Sequence, residues 1–133
     1  MNIVVIDGQG GRIGKTIIEL IRKKMPHVNI TGVGANSIAS SAMLKAGATA
    51  CATGENAIIF NCGKADVICG AMGIAFANSM HGEISPAMAQ AVSQSEALKL
   101  MIPVRSCGVR VMGTKDKSIQ EYVVEMIEII EAM

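Results

Sequence analysis

Asn2-Ile3-Val4-Val5-Ile6-Asp7-Gly8-Gln9-Gly10-Gly11-Arg12-Ile13-Gly14-Lys15-Thr16 opens the chain, and its reading decides the fold. Asn2 to Ile6 is a short apolar run rich in β-branched residues, the pattern of a strand buried on both faces. Asp7 to Gly11 is a glycine-rich turn. From Arg12 to Met25 the apolar positions Ile13, Ile17, Ile18, Leu20 and Ile21 recur with a helical period. Gly8-x-x-Gly11-x-x-Gly14, directly after a strand and at the mouth of a helix, is the context in which a glycine pattern becomes informative. Gly8 permits the tight turn, and Gly10 and Gly11 let backbone amides approach an anion. Gly14 lets the helix pack close to the sheet. Amides and helix dipole together favour a phosphate or another oxyanion there. Arg12 is placed to clamp such a group with both guanidinium arms. A tight turn alone would need fewer glycines.

Working outward, Pro26 lies just beyond the first helix, which it cannot continue. Val28 to Val33 reads as a second strand closed by Gly34. Asn36 or Ser37 caps a helix from Ile38 to Lys45, which Gly47 ends. Thr53-Gly54-Glu55-Asn56 opens a short helix to about Cys62. Asp66 to Gly70 reads as a third strand. Ser85-Pro86 starts a helix, a capping hydroxyl before proline at the first helical position. Ala97 to Pro103 reads as a fourth strand and Val109 to Met112 as a short fifth. Ser118-Ile119-Gln120-Glu121 is a capping box that opens a final helix. Alternating strands and helices predict an α/β, three-layer Rossmann-like fold. Its mainly parallel five-stranded sheet has the order 3-2-1-4-5, with helices on both faces.

The chain has 133 residues, half of them hydrophobic, with ten Met, two Phe and one Tyr. One domain spanning 1–133 is expected, with an aliphatic, Met-rich core. The formal net charge is +1. Without a basic face or base-stacking aromatics, no nucleic-acid partner is expected. Arg22-Lys23-Lys24 ends the first helix, where cations complement its dipole. Cys51, Cys62, Cys69 and Cys107 form no CxxC pair and have no neighbouring His, so no metal site is expected. No run reaches membrane-spanning length and no secretory leader is read, so a cytoplasmic location with free thiols is expected. The last helix carries Ile129, Ala132 and Met133 beyond its inward face, which points to a homo-oligomer.

In such a sheet ligands bind beyond the carboxyl ends of the strands, at the switch point. Under the expected numbering that crevice lies between the first and fourth strands, with the third strand's loop one step further along the same edge. The candidates there are Gly70 to Glu83 and Pro103 to Cys107. The former carries Gly73, Asn78 and Ser79 as ligand contacts, with His81 or Glu83 as acid or base. In the latter, Arg105 is a second anion contact. Each has an ordinary reading too: loop backbone satisfaction for Asn78 and Ser79, dipole complement for Glu83, a surface position for His81. No nucleophile–base pair or paired carboxylates can be read from spacing, so no catalytic residue is assigned and an enzymatic role stays open. Gly14-Lys15-Thr16 follows neither Gly8 nor Gly10 at Walker A spacing, which argues against an ATPase.

Gly8-Gln9-Gly10-Gly11-Arg12-Ile13-Gly14 resembles the phosphate loop of dihydrodipicolinate reductase, a nicotinamide-dependent enzyme. The resemblance covers only this loop and the helix start. It implies dinucleotide contacts through Gly8, Gly11, Arg12 and Ile13, and it does not carry over that enzyme's reaction, because the substrate domain is missing. An NAD site wants an acidic residue after the second strand. Gly34-Ala35-Asn36-Ser37 stands there instead; Asn36 and Ser37 are compatible with a 2′-phosphate, as in NADP(H), or with no ribose at all, and the missing acid leans toward an inorganic oxyanion. Over almost its whole length the chain also resembles a family of small bacterial proteins described as a domain of unknown function. The matching stretches are Ile6 to Gly11, Asn36 to Ala39, Ala52 to Ala57 and Ala77 to Met80, the last continued by Gly82-Glu83-Ile84. That resemblance implies no activity, but supports one shared site. The expected function is binding of a phosphate-bearing ligand, first a nucleotide such as NADP(H), at Gly8, Gln9, Gly10, Gly11, Arg12, Ile13, Asn36, Ser37, Gly73, Asn78 and Ser79. The alternatives are binding of an inorganic oxyanion (phosphate, sulfate, molybdate or tungstate) or a non-catalytic interaction role. Gly11→Val would test the amide cradle.

Overall fold

The computed structural model describes residues 1–104 and 108–133. Among the described residues there are five strands: β1 (Asn2–Asp7), β2 (Asn29–Gly34), β3 (Ala50–Thr53), β4 (Val67–Ala71) and β5 (Leu98–Ile102). They form one parallel sheet in the order β3-β2-β1-β4-β5. The helices are α1 (Arg12–Lys24), α2 (Ser37–Lys45), α3 (Glu55–Cys62), α4 (Pro86–Gln94) and α5 (Ile119–Glu131).

β1 lies at the centre because it is apolar on both faces. Ile3 and Val5 point into a core shared with Ile17, Ile18 and Ile21 of α1, Met43 of α2 and Val123, Met126, Ile127 and Ile130 of α5. Val4 and Ile6 point the other way, against Ile58 of α3 and Met88, Ala89 and Val92 of α4. The period-two alternation of a strand thus supplies both halves of a three-layer sandwich. The helix ends follow the capping chemistry. Asn36 Oδ1 accepts the Ala39 amide at 2.9 Å, Ser85 Oγ the Met88 amide at 3.2 Å and Ser118 Oγ the Glu121 amide at 3.1 Å.

The architecture, parallel sense and strand order agree with the sequence expectation, while the third, fourth and fifth strands are formed by other segments than expected. Val109–Met112 forms no strand, and Ala50–Thr53, of which only Thr53 is read from the sequence, as part of a helix cap, forms β3. A strand exists only if it finds a pairing edge. β2 offers one to Ala50–Thr53 in spite of its poor β-propensity, and β5 closes the opposite edge. The consequence for function is direct. The segment expected as strand three is β4, hydrogen-bonded to β1 itself. Its loop, Met72 to Ser85, therefore opens straight into the switch-point crevice rather than one strand away. Arg105 and Cys107 lie outside the described residues. No described helix is long and apolar enough to cross a membrane.

Candidate functional site

At the carboxyl edge of β1 the chain turns into α1 through Gly8 to Gly11. Asp7 ends the strand almost fully buried, at 4% exposure. Its Oδ1 accepts the Gly8 amide at 2.8 Å and its Oδ2 the Gly14 amide at 2.7 Å. Gly14 is in the first turn of α1, so Asp7 caps that helix from the preceding strand. Burial pushes the Asp7 carboxyl above its ordinary value. The Gly14 and Gly8 amides pull it back, and the charge of Glu83 adds to the rise.

Glu83 arrives from the β4–α4 loop. Its Oε1 accepts the Gln9 amide at 2.8 Å and the Asn36 side-chain amide at 2.7 Å. Asn36 Nδ2 also donates to the Gln9 carbonyl at 2.9 Å. Three loops beyond β1, β2 and β4 are thereby tied at one point. The Ala52–Ala57 stretch joins them: Gly54 N donates to the Gly34 carbonyl at 2.8 Å, and Ser85 Oγ donates to Glu55 at 2.5 Å. The Met72–Ser85 loop is bent hard, with left-handed backbone at Asn78, Met80 and His81, φ 65°, 57° and 57°. Such strain in residues other than glycine concentrates at sites of function. Asn78 N to the Ile84 carbonyl at 2.7 Å and Ser79 Oγ to the Gly73 carbonyl hold the bend.

The glycines of the turn divide their work differently from the expectation. A Cβ on Gly11 (φ 72°) would meet the Ala39 backbone at 2.8 Å, and one on Gly14 would meet Met43 Sδ at 2.8 Å. A Cβ on Gly8 would strike Glu83 Oε1 at 2.6 Å. These three allow the close approach of α2, α1 and the Glu83 loop. Only Gly10 opens outward, its nearest neighbour being Arg12 Cγ at 3.8 Å. The amides of Gly8, Gln9 and Gly14 are taken by carboxylates of the chain itself, and that of Gly11 by the Gly8 carbonyl. The amides of Gly10 and Arg12 have no acceptor among the described residues.

A cavity of about 500 Å³ opens over the turn. It brings together Gly8, Gln9, Gly10, Gly11, Arg12 and Ile13 from the β1–α1 turn with Gly73 and Ser79 from the β4–α4 loop. Asn36 does not line it, since its side chain is spent on the cap and the loop tie. Ser37 faces a separate groove with Lys15 and Lys45, and Asn78 and His81 face a third hollow beside Gln9. Thr16, Met80, Val104, Ile119 and Gln120 line the cavity without having been expected as ligand contacts. Ile119 and Gln120 stand in the α5 capping box, a local signal that says nothing of which cavity the helix points toward.

Among the described residues no nucleophile–base pair is brought together. The thiols of Cys62 and Cys69 are pushed up to about 11 and about 12 by burial and stay protonated at neutral pH. Among the described residues no group of three or more His, Cys, Asp or Glu is placed to hold a metal ion.

No curated protein matches the chain. Among solved structures it is similar to a dodecameric FMN-dependent UbiX-like decarboxylase from Escherichia coli O157:H7. The two share 16% identity with a TM-score of 0.48, over 96% of this chain and 76% of that one. Residues 2–133 match the family described as a domain of unknown function, DUF3842, and the chain belongs to that family.

Proposed function

We propose that the chain binds a phosphate-bearing nucleotide at the carboxyl edge of β1 and β4. The phosphate lies on the Gly10 and Arg12 amides, and the rest of the ligand lies along Met80, Val104 and Ile119. The observation that carries this reading is the pair of backbone amides without acceptors at the wall of a cavity of about 500 Å³. That volume suits a small organic ligand. The Arg12 side chain, exposed at the same wall, adds a cation.

The same geometry weighs against a bare oxyanion. Asp7 and Glu83 already hold the amides such an ion would need, and the cavity is far larger than phosphate or molybdate.

The test begins with freshly purified protein, denatured and analysed by mass spectrometry for released nucleotides. Calorimetric titration follows with inorganic phosphate, AMP, NAD and NADP. Wild type is expected to bind a nucleotide and to ignore inorganic phosphate at the same concentration. Gly10→Ala is expected to weaken nucleotide binding at least tenfold with its melting temperature unchanged. Absence of nucleotide binding at millimolar ligand, or full affinity in Gly10→Ala, overturns the reading.

A further inference from the structure

The C-terminal halves of α1 and α5 lie side by side on one face of the sheet, and a groove of about 500 Å³ runs between them. Its floor is apolar, made by Leu20, Val124 and Ile127, and Val124 is 51% exposed. Its two rims carry opposite charge. Lys23 and Lys24 stand on the α1 side, Glu128 and Glu131 on the α5 side. All four are exposed, and among the described residues none forms an ion pair.

The charges on α1 suit its last turn. Those on α5 do not: Glu128 and Glu131 stand at the negative end of the helix dipole, and that last turn holds no basic residue. An apolar groove exposed at Val124, between an unpaired cationic rim and an unpaired anionic rim, is self-complementary.

We propose that this groove is the interface between two copies of the chain, related by a two-fold axis running along the groove. That operator sets α1 of each copy over α5 of the other with their C-terminal ends level. Each Lys23–Lys24 pair then faces the partner copy's glutamates, and the two apolar floors close on each other. An axis across the groove would instead set lysines on lysines. The charge pattern therefore selects the symmetry as well as the face.

The test is molar mass by light scattering over a range of protein concentrations, with circular dichroism to confirm folding. Wild type is expected to be a dimer or an assembly of dimers. Lys23→Glu with Lys24→Glu is expected to weaken association at least tenfold, as is Glu128→Lys with Glu131→Lys. The four substitutions together restore opposite charges across the interface and are expected to recover association. A monomeric wild type would assign the groove to a different partner and overturn the proposal. So would association indifferent to either reversal, or a fourfold variant that folds yet stays dissociated. None of these outcomes bears on nucleotide binding, which is read from the titration.

Discussion

The Asp7 carboxylate accepts the Gly8 and Gly14 amides while nearly closed off from water, and burial outweighs those bonds in raising its pKa. The folded chain therefore holds this proton more tightly than the unfolded one. The group's contribution to stability is complete below the ordinary carboxylate range and is lost as pH rises through the raised value. Asp7→Asn should flatten that segment of the stability–pH curve from about pH 4 upward. Because an amide donor would then face a backbone amide, it should also cost about 1–3 kcal/mol. Urea midpoints at a series of pH values measure both. Glu83 poses the complementary case, a charge near the proposed phosphate. Glu83→Gln should raise nucleotide affinity about fivefold, on the order of 1 kcal/mol for a partly exposed charge. Titration calorimetry would detect it, and unchanged or weaker binding would separate Glu83 from the ligand.

At the scale of elements, Asn36 joins more segments than any other polar side chain of the site. It caps α2 and ties the β1–α1 turn to the β4–α4 loop. Asn36→Ala removes a cap and two further bonds and should lower stability by about 2 kcal/mol. Thermal unfolding followed by far-ultraviolet circular dichroism would register it. Ser118→Ala, at a cap with no tie to another loop, should cost only about 1 kcal/mol. The contrast checks that the difference comes from the tie rather than from capping.

For the molecule as a whole, Met43 is the keystone of the α1–β2–α2 packing. It fills the slots left by Gly14 and Gly32, whose added Cβ atoms would lie 2.8 and 2.9 Å from it. It is fully buried in the core shared by α1 and α5. Met43→Ala should cost about 2–5 kcal/mol, read as a shift of the denaturant midpoint at constant slope. The same packing explains why Gly11→Val is a poor probe of the ligand. Its side chain would drive into α2 at Ala39 from a backbone at φ 72°, so loss of binding would follow from loss of the fold. Gly10 is the position at which cradle and packing separate.

Signals carried by neighbours in the chain were legible in the residues alone. The Ile3–Ile6 run, the Gly8–Gly14 turn, the α1 period and the caps at Asn36, Ser85 and Ser118 each depend on a few adjacent side chains and on backbone conformation. They were enough for the fold class and for the turn at which a ligand is expected. Pairing and proximity were decided only in three dimensions. Val109–Met112 reads like a strand and finds no edge, whereas Ala50–Thr53 reads like a connection and finds β2. That exchange moves the Met72–Ser85 loop onto the β1 crevice and brings Glu83 within 2.8 Å of Gln9, a residue 74 positions away in the chain. Hydrogen-bond donors and acceptors can be counted in a sequence. Which of them consume one another depends on how the sheet brings distant loops together, and that decided which amides of the turn remain free.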